Sequence, residues 1–582
     1  MFFRGSAQLS FLLMFGCLPV VAQSTPALDK APEPLVRSRA NAVALDVVVT
    51  QRGDRPVVAL HQQDFIVMED GKPQSIDFFE EHTSSETTVA PPPALPPHVF
   101  SNQLSAPSSG AVNVLLLDSL NTSEADQAYV HKQITSFVLN MNSNTRVAIF
   151  ALNTRLRMLQ GFTADSALLK AALSGKTAAP GTTPDSRTRD DDLRDKEELS
   201  IIQEMVGNTD GFNQAATKAI ARSQADVAST QGGKRSALTL AALQQLARTL
   251  AAVPGRKNLI WFASSFPVSV FPNGGDRQTL SNGKEIPDAV RQTVDLLTQS
   301  KIAIYPVSAQ GILADPTTNA DTSGQPAGDD FEKAPLQQTS ANSANMTAMT
   351  QLATDTGGEA LYTTNDLSKA MASAMDNGAH YYTLVYTPTN AKMDGRFRRI
   401  DVKMSQGRYK LAYRRGYYAD DASGITAAAP ASDPLAPLLA RGMPDSTQIV
   451  YQARLLAADP QPAADQPRAG GNAKLSPPLT RYKVDFVIPV ADLNLNESAN
   501  GEHSGKVEIA LIAYGKDDAA VNWTAGQMSL TLNAASYAAA QKSGLPAHLQ
   551  LDLPNADIYL ATGVYSIDSH RAGTLEIPLR AR

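Results

Sequence analysis

The sequence predicts an α/β fold with a mostly parallel, doubly wound sheet at its centre, flanked by a small N-terminal β module and a C-terminal β-sandwich. Three observations predict it. First, Val112-Asn113-Val114-Leu115-Leu116-Leu117 is an apolar run broken only by Asn113 that leads straight into Asp118. Runs without polar alternation are typical of strands covered on both faces, as in parallel sheets. Second, similar runs alternate with amphipathic helical segments from 111 to about 418, the order expected of parallel strands joined by crossover helices. Third, both ends of the chain show period-two alternation between Gly, Asp and Pro turns, which reads as antiparallel β structure.

Taken in order, the elements begin with an address. Arg4 precedes the mostly apolar stretch Leu9–Val21, and Val20-Val21-Ala22 offers a cleavage site, so residues 1–22 read as a secretory signal peptide. The apolar run falls short of the ~20 residues that span a bilayer, which favours cleavage over anchoring. Cys17, the single cysteine, lies inside it. The mature chain then has no thiol chemistry and no disulfide; a lipid-modified Cys17 is the minor alternative. Residues 42–81 read as a small β module with strands at 43–49, 64–69 and 76–79, turned at Gly53-Asp54 and Asp70-Gly71. Residues 82–110, carrying Pro91-Pro92-Pro93 and Pro96-Pro97, read as a proline-rich linker.

The α/β domain is expected over 111–418. Its strands fall at 112–117, 146–151, 156–159, 258–263, 302–307 and 360–362, and its helices at 125–139, 166–173, 237–252, 287–299, 344–356 and 367–374. Strands at 381–386, 399–404 and 409–413 close it. The polar stretch at about 175–233 reads as an insertion, and 311–340 as a flexible loop. A second linker over 419–440 precedes the C-terminal β-sandwich-like domain, 441–582.

Composition excludes several function classes. A net charge of −6 with scattered Lys and Arg gives no nucleic-acid footprint. Beyond the signal peptide no stretch is long and apolar enough to span a membrane. The eight histidines show no metal-ligand spacing, and neither His-Glu-x-x-His nor Gly-x-Ser-x-Gly occurs. The chain is therefore expected not to be an enzyme. Gly255-Arg256-Lys257 reads as a helix stop with favourable cations. The tyrosines at 381, 382, 386, 413, 417 and 418 read as cross-strand packing, with a contact platform as the alternative. An exported chain of this kind belongs in the periplasm, at the cell surface or outside the cell.

Asp118 would stand at the carboxyl end of its strand, the edge where open α/β sheets bind ligands. The segment Asp118-Ser119-Leu120-Asn121-Thr122, with Thr145–Phe150 and Leu352–Tyr362, resembles a von Willebrand factor A-type (VWA) domain. More narrowly, further segments resemble the acidobacterial-type VWFA-related secreted family. These are Asp64-Phe65, Glu69-Asp70-Gly71, Gly161–Asp165, Pro254–Trp261, Thr356-Gly357-Gly358, Tyr381–Tyr386 and Tyr413–Tyr418.

The resemblance implies a VWA-like, Rossmann-type sheet and a metal-ion-dependent adhesion site. In such a site an Asp-x-Ser-x-Ser loop, a threonine and an aspartate hold a divalent cation and, through it, a partner. Carried onto this sequence, Asp118, Thr122 and Ser264 are the candidate metal residues, and Asn121, Ser265 and Thr182 the candidate partner-binding residues. Leu120 stands where a serine is expected and serine where the aspartate should be, so the site is degenerate. Any cofactor would be a weakly held Mg²⁺ or other divalent cation. Two readings of Asp118 stay open: a ligand of that weak ion, or an acceptor for N–H groups of the following helix. The expected function is binding of a protein or surface polymer at this edge. The alternative is a metal-independent structural scaffold of a cell-envelope assembly.

Overall fold

The computed structural model describes residues 42–51, 55–83, 95–104, 111–141, 145–174, 235–265, 288–309, 346–361, 367–419, 434–458, 461, 466–498 and 500–579. The signal peptide with Cys17, the 175–233 insertion with Thr182, and the 311–340 loop lie outside the described residues.

The fold is mixed α/β and rich in strands. At its centre lies a five-stranded sheet in the order Ile302–Ser308, Lys257–Ala263, Val112–Asp118, Val147–Leu152, Leu156–Thr163. The first four strands are mutually parallel, and Leu156–Thr163 runs antiparallel at the edge. Every residue of Val112–Asp118 and of Lys257–Ala263 is buried, as the unbroken apolar runs require.

Because side chains alternate along a strand, each run serves two cores. Val114, Leu116, Leu259 and Trp261 pack with Leu243, Leu246, Leu297, Met349 and Leu352 on one face. Leu115, Leu117, Ile260 and Phe262 pack with Ile134, Phe137, Leu169 and Met371 on the other. Helices therefore cover both faces. Glu124–Asn140, Ser166–Ser174 and Leu367–Ala379 lie on one side, and Asp288–Gln299 with the helical residues 235–249 and 346–356 on the other.

The terminal strands divide differently from the expected boundaries. Val43–Gln51 does not stay within a 42–81 module. It pairs with Tyr381–Tyr386 in the register Val43↔Tyr386 to Val47↔Tyr382, then with Lys410–Ala412. Ile76–His82 flanks Tyr381–Tyr386 on its other side, and Phe65–Glu69 pairs with Phe397–Met404. The strands expected to close the α/β domain thus complete the N-terminal β unit around Leu45, Val47, Phe65, Val67, Leu384, Ile400 and Tyr413. The physical reason is area: about 40 residues cannot bury a core of their own. Of the tyrosines at 381, 382, 386, 413, 417 and 418, all but the half-buried Tyr417 are buried, which answers the choice between packing and a platform in favour of packing.

The 82–110 linker also carries structure. Val99–Ser101 adds a strand to Gln452–Ala457. Asn102, buried, donates to Ser446 O (2.7 Å) and Ile449 O (2.9 Å) and accepts from Tyr451 N–H (3.0 Å). The sheet continues through Leu479–Ile488 to Leu545–Pro554. It packs on a second antiparallel sheet built on His503–Tyr514, Ala520–Leu532, Ile558–Ser566 and Arg571–Leu579. Within the second expected linker, the 3₁₀ turn Ala436–Leu439 seats Leu435 and Leu439 against this unit. Thr447 joins it to the α/β unit: its hydroxyl donates to Thr249 O (2.8 Å) and accepts from Ala252 N–H (3.0 Å).

Candidate functional site

Asp118 ends its strand at the carboxyl edge of the parallel sheet, and the chain turns through 119–123 because the Asp118 carboxylate closes the turn. Asn121 N–H donates to Asp118 Oδ1 at 3.0 Å and Asn121 Nδ2 to Oδ2 at 2.7 Å. A third donor comes from the neighbouring parallel strand, where the Trp261 indole N–H lies 2.9 Å from Oδ2. Asn121 is steadied in turn by Thr239 Oγ1 at 3.0 Å. Asp118 is 2 % exposed. Its charge is met by neutral donors, and hydrogen bonds to a charged acceptor are the stronger kind.

The following helix does not supply these donors, as one of the two readings expected. Helix Glu124–Asn140 starts after Ser123, the N-cap, whose Oγ accepts from Asp126 N–H (3.3 Å) and donates to Asp126 Oδ2 (2.8 Å). Asp126 Oδ2 also accepts from Ser264 Oγ at 2.5 Å. Ser123 is thus an N-cap that satisfies one N–H at the start of the helix, while the Asp126 carboxylate accepts from the Ser123 and Ser264 hydroxyls.

Five of the six sequence-derived site residues come together here. Ser264 N–H donates to Thr122 Oγ1 (3.3 Å), and Ser264 N–H and Ser265 N–H both reach Asn121 O (3.2 and 3.1 Å). Thr182 lies outside the described residues. Asn121, expected to face a partner, is buried and braces Asp118 instead. Four further participants carried no motif signal for this site, or only an indirect one: Trp261, Thr239, Ser123 and Asp126. Ser123-x-x-Asp126 has capping-box spacing and could have been read from the sequence; Trp261 inside an apolar run reads only as core.

The residues at Asp118 do not fit a hard divalent cation. Such an ion needs several free oxygen ligands in near-octahedral array. Both Asp118 oxygens hold donors, Thr122 Oγ1 accepts an N–H, and Ser264 Oγ is spent on Asp126. Leu120, at the expected serine position, is 4 % exposed and packs in the core with Phe150, Leu243 and Trp261.

Burial pushes the Asp118 carboxyl up to about 6 from its ordinary 3.8, against the downward pull of the Asn121 and Trp261 hydrogen bonds. Between those two values the folded chain holds a proton that the unfolded chain has released. Stability should therefore fall as pH rises from about 4 to about 6 and then level off, by at most ~1.4 kcal/mol per pH unit for this group. Urea unfolding at pH 4.5 and 6.5 checks this: the difference should shrink in Asp118→Asn. An unchanged difference would mean that Asp118 is not the titrating group.

No known protein-family pattern matches the chain, and no curated protein matches it. Among solved structures, an aerotolerance-related membrane protein from Bacteroides fragilis aligns at 12 % identity and TM-score 0.22, covering 46 % of this chain and 98 % of its own. The conserved hypothetical protein BatB from Bacteroides thetaiotaomicron aligns at 11 % identity, TM-score 0.22 and the same coverage. Three N-terminal domains of the type V pili tip protein Mfa5 from Porphyromonas gingivalis align at 10 % identity and TM-score 0.23, covering 88 % of this chain and 78 % of that one. At these scores the likenesses carry no argument about function.

Proposed function

We propose that the chain is an exported binding protein built on a VWA-like, doubly wound domain whose adhesion edge works without a metal ion. The observation that supports this reading is the closed cradle of Asn121 and Trp261 donors around Asp118. It replaces the cation as the stabiliser of the carboxylate and holds the turn at 119–123 in place. A partner would then meet the rim, where Ser123, Asp126 and Ser265 are half-buried and Glu124 is exposed. Hydroxyls beside carboxylates suit a protein or surface polymer rich in hydrogen-bond donors. Among the described residues no helix is long and apolar enough to cross a membrane.

A second reading, a metal-independent scaffold of an envelope assembly, draws on the stitching of the C-terminal β unit to the rest through Asn102 and Thr447. Calorimetric titration of the protein with Mg²⁺, Mn²⁺ and Ca²⁺ tests the metal-free edge. No saturable uptake up to millimolar ion is expected; saturable binding that Asp118→Ala abolishes would sink it. Capture of envelope components in the presence of a chelator separates the two functions. Loss in Ser265→Arg but not in Val487→Arg, an exposed position of the C-terminal unit, is the outcome expected of edge binding. The reverse pattern favours the scaffold.

A further inference from the structure

The C-terminal β unit and the α/β unit do not share a core. The helical residues 235–249 turn Leu243 and Leu246 into the α/β core, while Tyr451, Leu511 and Ile577 pack within the C-terminal unit. Among the described residues no buried apolar cluster spans the two. What joins them is polar. Gln245 Nε2 donates to Pro444 O (2.5 Å), Arg248 Nη1 to Gln448 Oε1 (3.0 Å) and Thr447 N–H to Arg248 O (2.9 Å), beside the bonds of the Thr447 hydroxyl to Thr249 O and Ala252 N–H. At the carboxyl edge of the sheet Arg155 Nη1 donates to Arg441 O (2.8 Å), and Arg155 Nη2 lies 3.4 Å from Asp518 Oδ2.

When such surfaces part, their hydrogen bonds are exchanged for bonds to water at a small net cost. Parting either core would expose apolar area instead. The closed seam is also imperfect. Gln245 Oε1, Thr249 Oγ1 and Arg441 Nε are enclosed and have no hydrogen-bond partner among the described residues. Native proteins leave few such atoms unpaired, and opening the seam lets water reach them, which offsets part of the bonds lost. Polar junctions between domains are where relative motion is the default.

Both halves of the seam reach the Asp118 turn. Arg155 follows closely on Leu152, whose carbonyl accepts from Ser119 N–H (2.8 Å) and Leu120 N–H (3.3 Å). Gln245 and Arg248 share a helix with Thr239, which braces Asn121. We propose that the C-terminal β unit parts from the α/β unit along this seam as one body, each core staying closed, and that its docking holds the Asp118 turn in place. The turn is ordered while the unit is docked and loosens when it leaves.

Hydrogen–deuterium exchange of the full chain, read by mass spectrometry, tests both parts. It uses neither a partner nor an ion, so its outcome is independent of what the carboxyl edge binds. In the parent protein the seam amides of Ala252 and Thr447 should exchange together, about tenfold or more faster than the core amides of 259–262 and 507–512, as a local opening does. Thr447→Val removes the hydroxyl bonds at nearly constant shape. It should speed exchange at Ala252 and at 119–121 about fivefold, the worth of one such bond, and leave both cores unchanged. If Thr447→Val fails to fold, Arg155→Gln, at a half-buried position, decides by the same reading at 119–121. Seam amides as slow as the cores overturn the proposal, because the units would then part only on global unfolding. An equal rise everywhere overturns it for the same reason. Faster exchange at Ala252 with none at 119–121, or no rise there in Arg155→Gln, also overturns it, because docking would not hold the turn.

Discussion

Leu120→Ser, which restores the residue that the VWA resemblance calls for, is expected to destabilise the protein by about 3 kcal/mol or more and to create no metal site. Leu120 sits in the core with Phe150, Leu243 and Trp261. Truncating a buried leucine costs ~2–5 kcal/mol through lost transfer energy and the cavity left behind. A serine hydroxyl with no partner in that core adds ~1–3 kcal/mol. No gain offsets this, because the Asp118 oxygens stay held by Asn121 and Trp261. Urea unfolding followed by tryptophan fluorescence, with and without millimolar Mg²⁺, measures both halves of the expectation. A variant as stable as the parent, or one that Mg²⁺ stabilises, would refute a closed, metal-free edge. Leu120→Met, close in volume, should cost less than ~1.5 kcal/mol and serves as the control.

Gly358→Ala should be as damaging, for a backbone reason. A Cβ at Gly358 would fall onto the Ile304 carbonyl oxygen, far inside contact distance. That carbonyl belongs to the Ile302–Ser308 edge strand, which is tied to the same corner on both sides. Ile304 N–H donates to Thr356 Oγ1 (2.9 Å), and Leu361 N–H to Pro306 O (2.8 Å). Neither side can yield without breaking one of these bonds. The preceding Gly357, at φ +80°, is itself closely approached by the Tyr413 and Arg414 backbone, which crowds the corner from a second side. Overpacking against backbone costs ~3 kcal/mol or more, the range reserved for strained core changes. Gly161→Ala, with nothing within 4 Å of its added Cβ, should stay within ~1 kcal/mol. Thermal unfolding of both variants checks the contrast, and equal melting temperatures would mean that the corner can open to admit a methyl group.

The sheet strands were legible because an unbroken apolar run has one good solution, burial on both faces. Strand partners at the ends of the chain were not, since alternation specifies a face but not a neighbour. Val43–Gln51 reads equally well beside Phe65–Glu69 and beside Tyr381–Tyr386. Val99–Ser101 is three residues long, too short for any periodicity, and proline around it reads as linker. At the carboxyl edge Asp118 was legible as a polar break at a strand end. Trp261 was not, because its indole N–H is one polar atom on an otherwise apolar residue. The role of Leu120 was open on sequence alone: the missing serine was plain, but its replacement by a core contact is a fact of packing. Arg256 and Lys257 look like surface cations after a glycine, and only the approach of the N-terminal β unit encloses them.

The splitting of the N-terminal β unit has a consequence for how the chain folds. Leu60 N–H donates to Tyr382 OH from 322 residues away, and Val43–Gln51 finds its strand partners at a similar separation. Pairings this distant raise contact order and set a slow step, since loop closure precedes any reward. During synthesis Val43–Val47 and Ile76–His82 must wait for their sheet partner until about two thirds of the chain has emerged, as Tyr381–Tyr386 stands in a chain of 582 residues. The α/β unit, whose parallel strands all lie between 112 and 308, can assemble first and bring the two halves of the β unit together. Until then Val43–Val49 is a hydrophobic strand without its sheet partners, a template for wrong pairing.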